Sequence, residues 1–242
     1  MDNTPFETLI ESKHYKTAER WYPTAAETYR LAFKIDMSIE NSAALKKNLS
    51  YSMQYLEFLE KEMKELKLSE VIYIMLVKTY VITGMSLLEG LFTNIIKSNG
   101  WWKTTNLKSL GITQASETKF GAEKYVVKTE ILQKVPNYEM RMDLDALIQI
   151  LNHHHEALGV DYLVYPALKR LKTLRNRVHL QMLESNTDHD YNAFDYTVKE
   201  EMGSILHTIL TSSMVTELPH VFDFLKVNIH DDKAECILRE DE

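Results

Sequence analysis

Between Val71 and Ile96 the chain carries only two charges, Lys78 and Glu89. Few folds accept so long an apolar run. As a helix it would be about 39 Å long, enough to cross a hydrocarbon core of about 30 Å. Membrane insertion would place both charges within the bilayer at a cost of several kcal/mol. No basic cluster closely flanks the run to anchor it. The expectation is therefore a central helix surrounded by other helices or by a second subunit, with no membrane. Ser69-Glu70 reads as its start and Asn99-Gly100 as its end.

The remaining pattern is helical too. Leu45, Leu49, Met53, Leu56, Leu59, Met63 and Leu66 keep the spacing of one helix face over about 39–66. The charge run on its other face reads as solvated surface. Asp143 suits the N-cap of a helix through Leu144, Leu147, Ile148 and Leu151, ending at Gly159. Val198, Met202, Ile205 and Ile209 predict another helix to about Met214. Only 7 Gly and 5 Pro occur among 242 residues, too few for a hairpin-rich β fold. The stretch from Trp101 to about Lys128 reads as a long connection, with a brief strand at Tyr125-Val126-Val127. The stretch from Glu184 to Asn192 reads as a loop, and Val221–Ile229 as a terminal strand or short helix. Residues 1–21 suggest one or two short helices before Pro23.

Charge and cysteine content narrow the classes of function. A net charge of −7 argues against a general nucleic-acid coat protein, though not against a local basic site. The single cysteine, Cys236, excludes an intrachain disulfide and fits a reducing cytosol. The N-terminus has no apolar signal core, so a cytoplasmic location is expected. His153-His154-His155-Glu156 invites a metal reading. Consecutive residues on a helix diverge by about 100°, however, and the i, i+4 pairing of helical zinc sites is missing. No metal and no cofactor are expected.

One short stretch carries chemistry. Leu168, Leu171, Leu174, Val178 and Met182 predict a helix after Pro166, and Arg175 falls inside that apolar stripe. Arg175 and His179 are four residues apart, one turn on one face. Histidine can give and take protons near neutrality. Arginine offers a permanent charge on a planar donor fork suited to phosphate. Asn176 can orient either group. Lys169, Arg170, Lys172 and Arg177 add a basic collar. Glu89 is the other anomaly, a carboxylate on an apolar helix, either a structural group that caps a backbone or pairs with Lys78, or a functional one that partners Arg175 or His179. The constellation suits a phosphodiester: His179 for the proton at the attacking or leaving oxygen, Arg175 for charge on phosphorus.

Leu174-Arg175-Asn176-Arg177-Val178-His179 resembles the signature of the HEPN superfamily. Gly84-Met85-Ser86-Leu87-Leu88-Glu89-Gly90-Leu91 resembles its second landmark, a small-residue helix bearing an acid. The order of the two also matches over about 45–214, although the interval between Arg175 and His179 is shorter than the family usually has. The resemblance implies an all-α fold, an up-and-down helical bundle of the HEPN type with extra N-terminal and C-terminal segments, in one domain over 1–242. It implies a homodimer whose two Arg-Asn…His motifs meet in one cleft, acting on RNA as a metal-independent endoribonuclease of a bacterial defence or toxin–antitoxin system. An antitoxin or defence-system partner protein is possible by the same resemblance. Arg175, Asn176, His179 and Glu89 would be the catalytic set, and Lys169, Lys172 and Arg177 would hold RNA phosphates. The alternative it leaves open is a non-catalytic nucleotide- or partner-binding or dimerisation module.

Overall fold

The apolar run forms a single helix around which the others pack. The computed structural model describes residues 22–113, 116–120, 123–178 and 190–226. Helix α1 (Ala26–Ala32) and the long α2 (Ser42–Glu65) precede α3 (Glu70–Ser98). After an intervening β segment come α4 (Leu144–His153), α5 (His155–Leu158), α6 (Val164–Arg175) and a 3-10 turn (Asn176–Val178). The last elements are α7 (Asp190–Ala193), α8 (Tyr196–Leu210) and a 3-10 helix (Pro219–Leu225). Helix α3 packs against α2, α4, α6, α7 and α8. Its Val77, Tyr80, Val81, Met85, Leu88, Leu91 and Phe92 are fully buried. Each such side chain contributes about 1.5–3 kcal/mol on leaving water.

Small residues set how closely the helices approach. A Cβ on Gly84 would lie 2.6 Å from Met202 Cε, and one on Gly90 would lie 2.8 Å from Leu45 Cδ1. Helices α8 and α2 therefore sit against α3 where it has no side chain. The Leu45–Gly90 approach joins the start of α2 to the end of α3, so the two run antiparallel. Capping follows the local sequence: Asp143 accepts from the Ala146 N–H at 2.9 Å, and Asp195 from the Val198 N–H at 2.9 Å. Burial alone would raise the Asp195 carboxyl, but hydrogen bonds from Thr197 and the Val198 N–H hold it below the usual carboxylate range.

Helix α3 is long and apolar enough to span a membrane, yet half of its most apolar window is buried inside the protein. That is the condition of a bundle's core helix.

Four expectations need correction. The fold is helical-rich and not wholly α. The region read as a connection is a β arm: β1 (Thr104–Ile112) pairs antiparallel with β4 (Glu130–Glu139), and β2 (Ser116–Phe120) with β3 (Glu123–Val127). The arm's register shifts twice. One shift takes up Pro136, which cannot donate to a ladder. The other leaves Leu110 unpaired, next to Gly111 at φ 149, a conformation that favours glycine. Second, the helix from Asp143 stops at His153, and Gly159 instead ends α5. Third, the α-helix after Pro166 ends at Arg175, not Met182. Finally, the packed core extends past 45–214. Tyr29, Ala32 and Phe33 are buried against Phe222 and Leu225, and Phe33 bridges to Thr216. The readings of residues 1–21 and of 184–189 lie outside the described residues; within the remainder of that loop, Asp190–Ala193 is helical.

Two outcomes test this packing. Leu88→Ala should cost about 2–5 kcal/mol in urea unfolding, because the emptied site lies among helices that cannot all close on it. His207 should make the fold acid-sensitive. Burial first, and then the Lys226 charge, hold its pKa below 6.5. The unfolded chain then takes up the proton first, so stability present above pH 6.5 is lost as pH falls through the lower folded value. His207→Leu should flatten that part of the stability–pH curve.

Candidate functional site

The residues that carry charge into the apolar framework meet where α3 and α6 cross. Helix α6 is held by Val164, Tyr165, Leu168 and Leu171, all buried. The Tyr165 hydroxyl donates to the Leu151 carbonyl at 3.0 Å, and burial pushes its phenol up to about 12. Past Leu171 the face turns outward: Leu174 is half-buried and Val178 is exposed. The chain tightens into the 3-10 turn at Asn176, so the stripe read through Val178 does not continue into the core.

Arg175 stands at that change of path, as the last residue of α6. Its Nη2 donates to Glu89 Oε2 at 2.8 Å. The two side chains are 32% and 34% exposed, so the pair is open to solvent on one side. Glu89 thus takes Arg175 as partner and not Lys78, from which it is separated by three helical turns. Asn176 and Arg177 lie half-buried in the adjoining turn. His179 lies outside the described residues. The geometry therefore brings together Glu89, Arg175, Asn176 and Arg177.

The basic collar is largely matched by acids. Lys172 Nζ donates to Asp145 Oδ1 on α4 at 2.6 Å. That bond, helped by Gln149 at 2.7 Å, holds the Asp145 carboxyl below the usual range. Arg170 pairs with Glu201 of α8. Lys169 is exposed on the same helix. The local field is weaker than the bare count of lysines and arginines implies.

Three further features were not legible. Lys78, only 7% exposed, reaches Asp190 of α7 at 2.6 Å and lies 6.0 Å from the Phe194 ring. Glu60 pairs with Lys199 at 2.8 Å. The neighbouring Tyr80 phenol is pushed well above its ordinary value, by burial first and then by Glu60. The histidine run breaks at the α4–α5 junction, where His154 stacks on Trp101 with ring centroids 4.0 Å apart. His155 instead contacts the Asn152 carbonyl at 3.1 Å. Among the described residues no three His, Cys, Asp or Glu side chains converge as metal ligands.

Compared with protein-family models, with curated proteins and with solved structures, the chain matches none.

The two ion pairs should respond differently to truncation. Arg175→Ala should shift unfolding by less than about 1 kcal/mol, as expected for a solvent-screened pair. Asp190→Ala strands a buried ammonium and should cost about 3 kcal/mol or more. Urea titrations of both variants against the parent check this. Equal losses would mean that Arg175 is a structural residue.

Proposed function

We propose that the protein is a metal-independent endoribonuclease of a bacterial defence or toxin–antitoxin type, working as a homodimer on cytoplasmic RNA. The reading rests on the resemblance of the Arg175–His179 and Gly84–Leu91 segments to the HEPN superfamily. The single observation that supports it best is the half-exposed Arg175–Glu89 pair. An ion pair open to solvent contributes little to stability, so stability alone does not account for the pairing of Arg175 with Glu89. A carboxylate that fixes one edge of the fork leaves other N–H groups for an oxyanion.

In the proposed reaction the 2′-hydroxyl of RNA attacks the adjacent phosphorus in line. The P–O5′ bond breaks as the new P–O2′ bond forms, giving a cyclic phosphate and a free 5′-hydroxyl. His179 accepts the proton of the attacking hydroxyl or supplies one to the leaving oxygen. Arg175 balances the charge that builds on the non-bridging oxygens. Glu89 fixes the guanidinium and Asn176 positions the phosphate, while Lys169, Lys172 and Arg177 carry the neighbouring backbone.

The pairing of Lys172 with Asp145 and of Arg170 with Glu201 favours a second reading, in which the same surface is a non-catalytic nucleotide- or partner-binding module. Cleavage of total RNA in excess chelator separates the two. The expected outcome is cyclic-phosphate ends from the parent. Arg175→Ala and His179→Ala should each lose about 100-fold or more in rate, with unchanged helical circular dichroism. Variants that cut like the parent overturn the ribonuclease reading. A parent that binds nucleotide but cuts nothing establishes the second.

A further inference from the structure

The β arm is rooted in the bundle by a cluster of rings and cations. Trp101 lies face to face with His154, ring centroids 4.0 Å apart and planes 4° apart, and His153 meets His154 edge-on at 5.0 Å. The Trp102 ring has the Lys97 ammonium over it at 4.7 Å, and its Nε1 donates to the Met140 carbonyl at 3.1 Å. The Met140 N–H donates to the Lys103 carbonyl at 2.9 Å, one step beyond the Thr104–Glu139 pair, so Arg141 comes opposite Trp102. Both indoles rest on the core and remain half-buried, while His153, Lys103 and Arg141 are exposed.

The root is a local reversal of sign in a chain of net charge −7. Lys97 pairs with Glu139, but that carboxylate is 57% exposed, so the bond is screened by solvent. Lys103 and Arg141 enter no ion pair among the described residues, with Glu156 of α5 or any other acid. The nearby Asp143 is turned to the Ala146 N–H as the N-cap of α4.

Two helices lead from Arg175 to this root. On α3, Glu89, Thr93 and Lys97 follow one another at i, i+4 and i+8, each half-buried on one face. Glu89 holds Arg175, and Lys97 lies about 12 Å further along the helix. Helix α4 runs the same way, from Asp145, which is bonded to Lys172 of α6, to His153 beside the tryptophans.

We propose that the arm root is a subsite for single-stranded RNA. The strand whose phosphate sits on Arg175 continues past Thr93 and Lys97. An unpaired base a few nucleotides from the cut then meets Trp102, with its flanking phosphates on Lys103 and Arg141. This rests on the ribonuclease reading and names its substrate class. Interleaved rings and cations hold a single strand because every base has a face to stack and every linkage a charge. A duplex keeps its base faces inside and gains only the charge contacts.

The test uses the full chain in chelator with a fluorescein-labelled 2′-O-methyl oligouridine of about 12 nucleotides. It has no free 2′-hydroxyl, so anisotropy reads binding without cleavage. Trp102→Ala should weaken binding about 10-fold. Trp102→Phe should bind like the parent, although it too loses the bond to Met140; a merely structural tryptophan would fail in both variants. The double variant Lys103→Gln, Arg141→Gln should make the fall of log K with log salt shallower by about 1.4. In the same variant, cleavage of long oligouridine relative to a dinucleotide should drop about 10-fold. Four results overturn the proposal: a Trp102→Phe variant as weak as Trp102→Ala, an unaltered salt dependence, equal binding of duplex RNA, or displacement by polyglutamate as readily as by oligouridine. A parent that holds the strand through the root but cuts no RNA sinks the ribonuclease reading and keeps the strand-binding root. Cleavage that ignores every root variant sinks the subsite and keeps the ribonuclease.

Discussion

Burial of α3 is the constraint on which the other elements depend. Its buried side chains include Val77, Tyr80, Val81, Met85, Leu88, Leu91, Phe92 and Ile96. Among the described helices none has as many buried residues, and burial of apolar surface stabilises by about 25 cal/mol per Å². The partners keep their places by what they bury: α2 at Gly90, α8 at Gly84, α7 through Lys78, and α6 through its buried Val164, Tyr165, Leu168 and Leu171. The positions turned away from these partners are exposed at Ile72, Met75 and Ser86 and half-buried at Thr79, Ile82 and Thr93. The arm begins at the end of that same helix. Core and candidate site are two sides of one element.

The helical part of this arrangement was legible wherever a periodic face was long. The buried face of α2 and the N-cap at Asp143 follow from spacing and cap chemistry. Of the arm, only the strand at Tyr125-Val126-Val127 was legible. Strands β1, β3 and β4 are exposed on both faces, so burial imposes no apolar–polar alternation on them, and bulges at Leu110 and near Pro136 break what alternation remains. The core contributions of α1 and of Phe222 and Leu225 were hidden for another reason. Elements of seven residues are too short to establish a period, and their partners lie nearly the whole chain away.

The candidate site was legible as a set of unusual residues, not as a set of contacts. Arg175 and Glu89 stood out because charge is rare on apolar faces, and their partnership was one of two alternatives. Their separation of 86 residues leaves no spacing from which to infer the bond. The same holds for Lys78 and Asp190 at 112 residues, and for the acids that match Arg170 and Lys172. Periodicity also misled at the end of α6. Leu174 and Val178 are four apart, so the pattern reads as continuous helix although the backbone has already tightened to 3-10 geometry.

The two ion pairs on α3 differ in what they contribute. Lys78–Asp190 is enclosed, and the ammonium needs its carboxylate because desolvation leaves it no alternative. It ties the short α7, too short to hold itself, to the core. Arg175–Glu89 faces water, where a bound carboxylate and competing solvent differ by little. An arginine in that state can exchange or share its partner at small cost, which a buried structural ion cannot do. Its place on α6, at the residue where the α-helix ends, keeps one edge of the guanidinium fixed by α3 and another turned outward. In the proposed function that half-fixed guanidinium is the group that receives the phosphate.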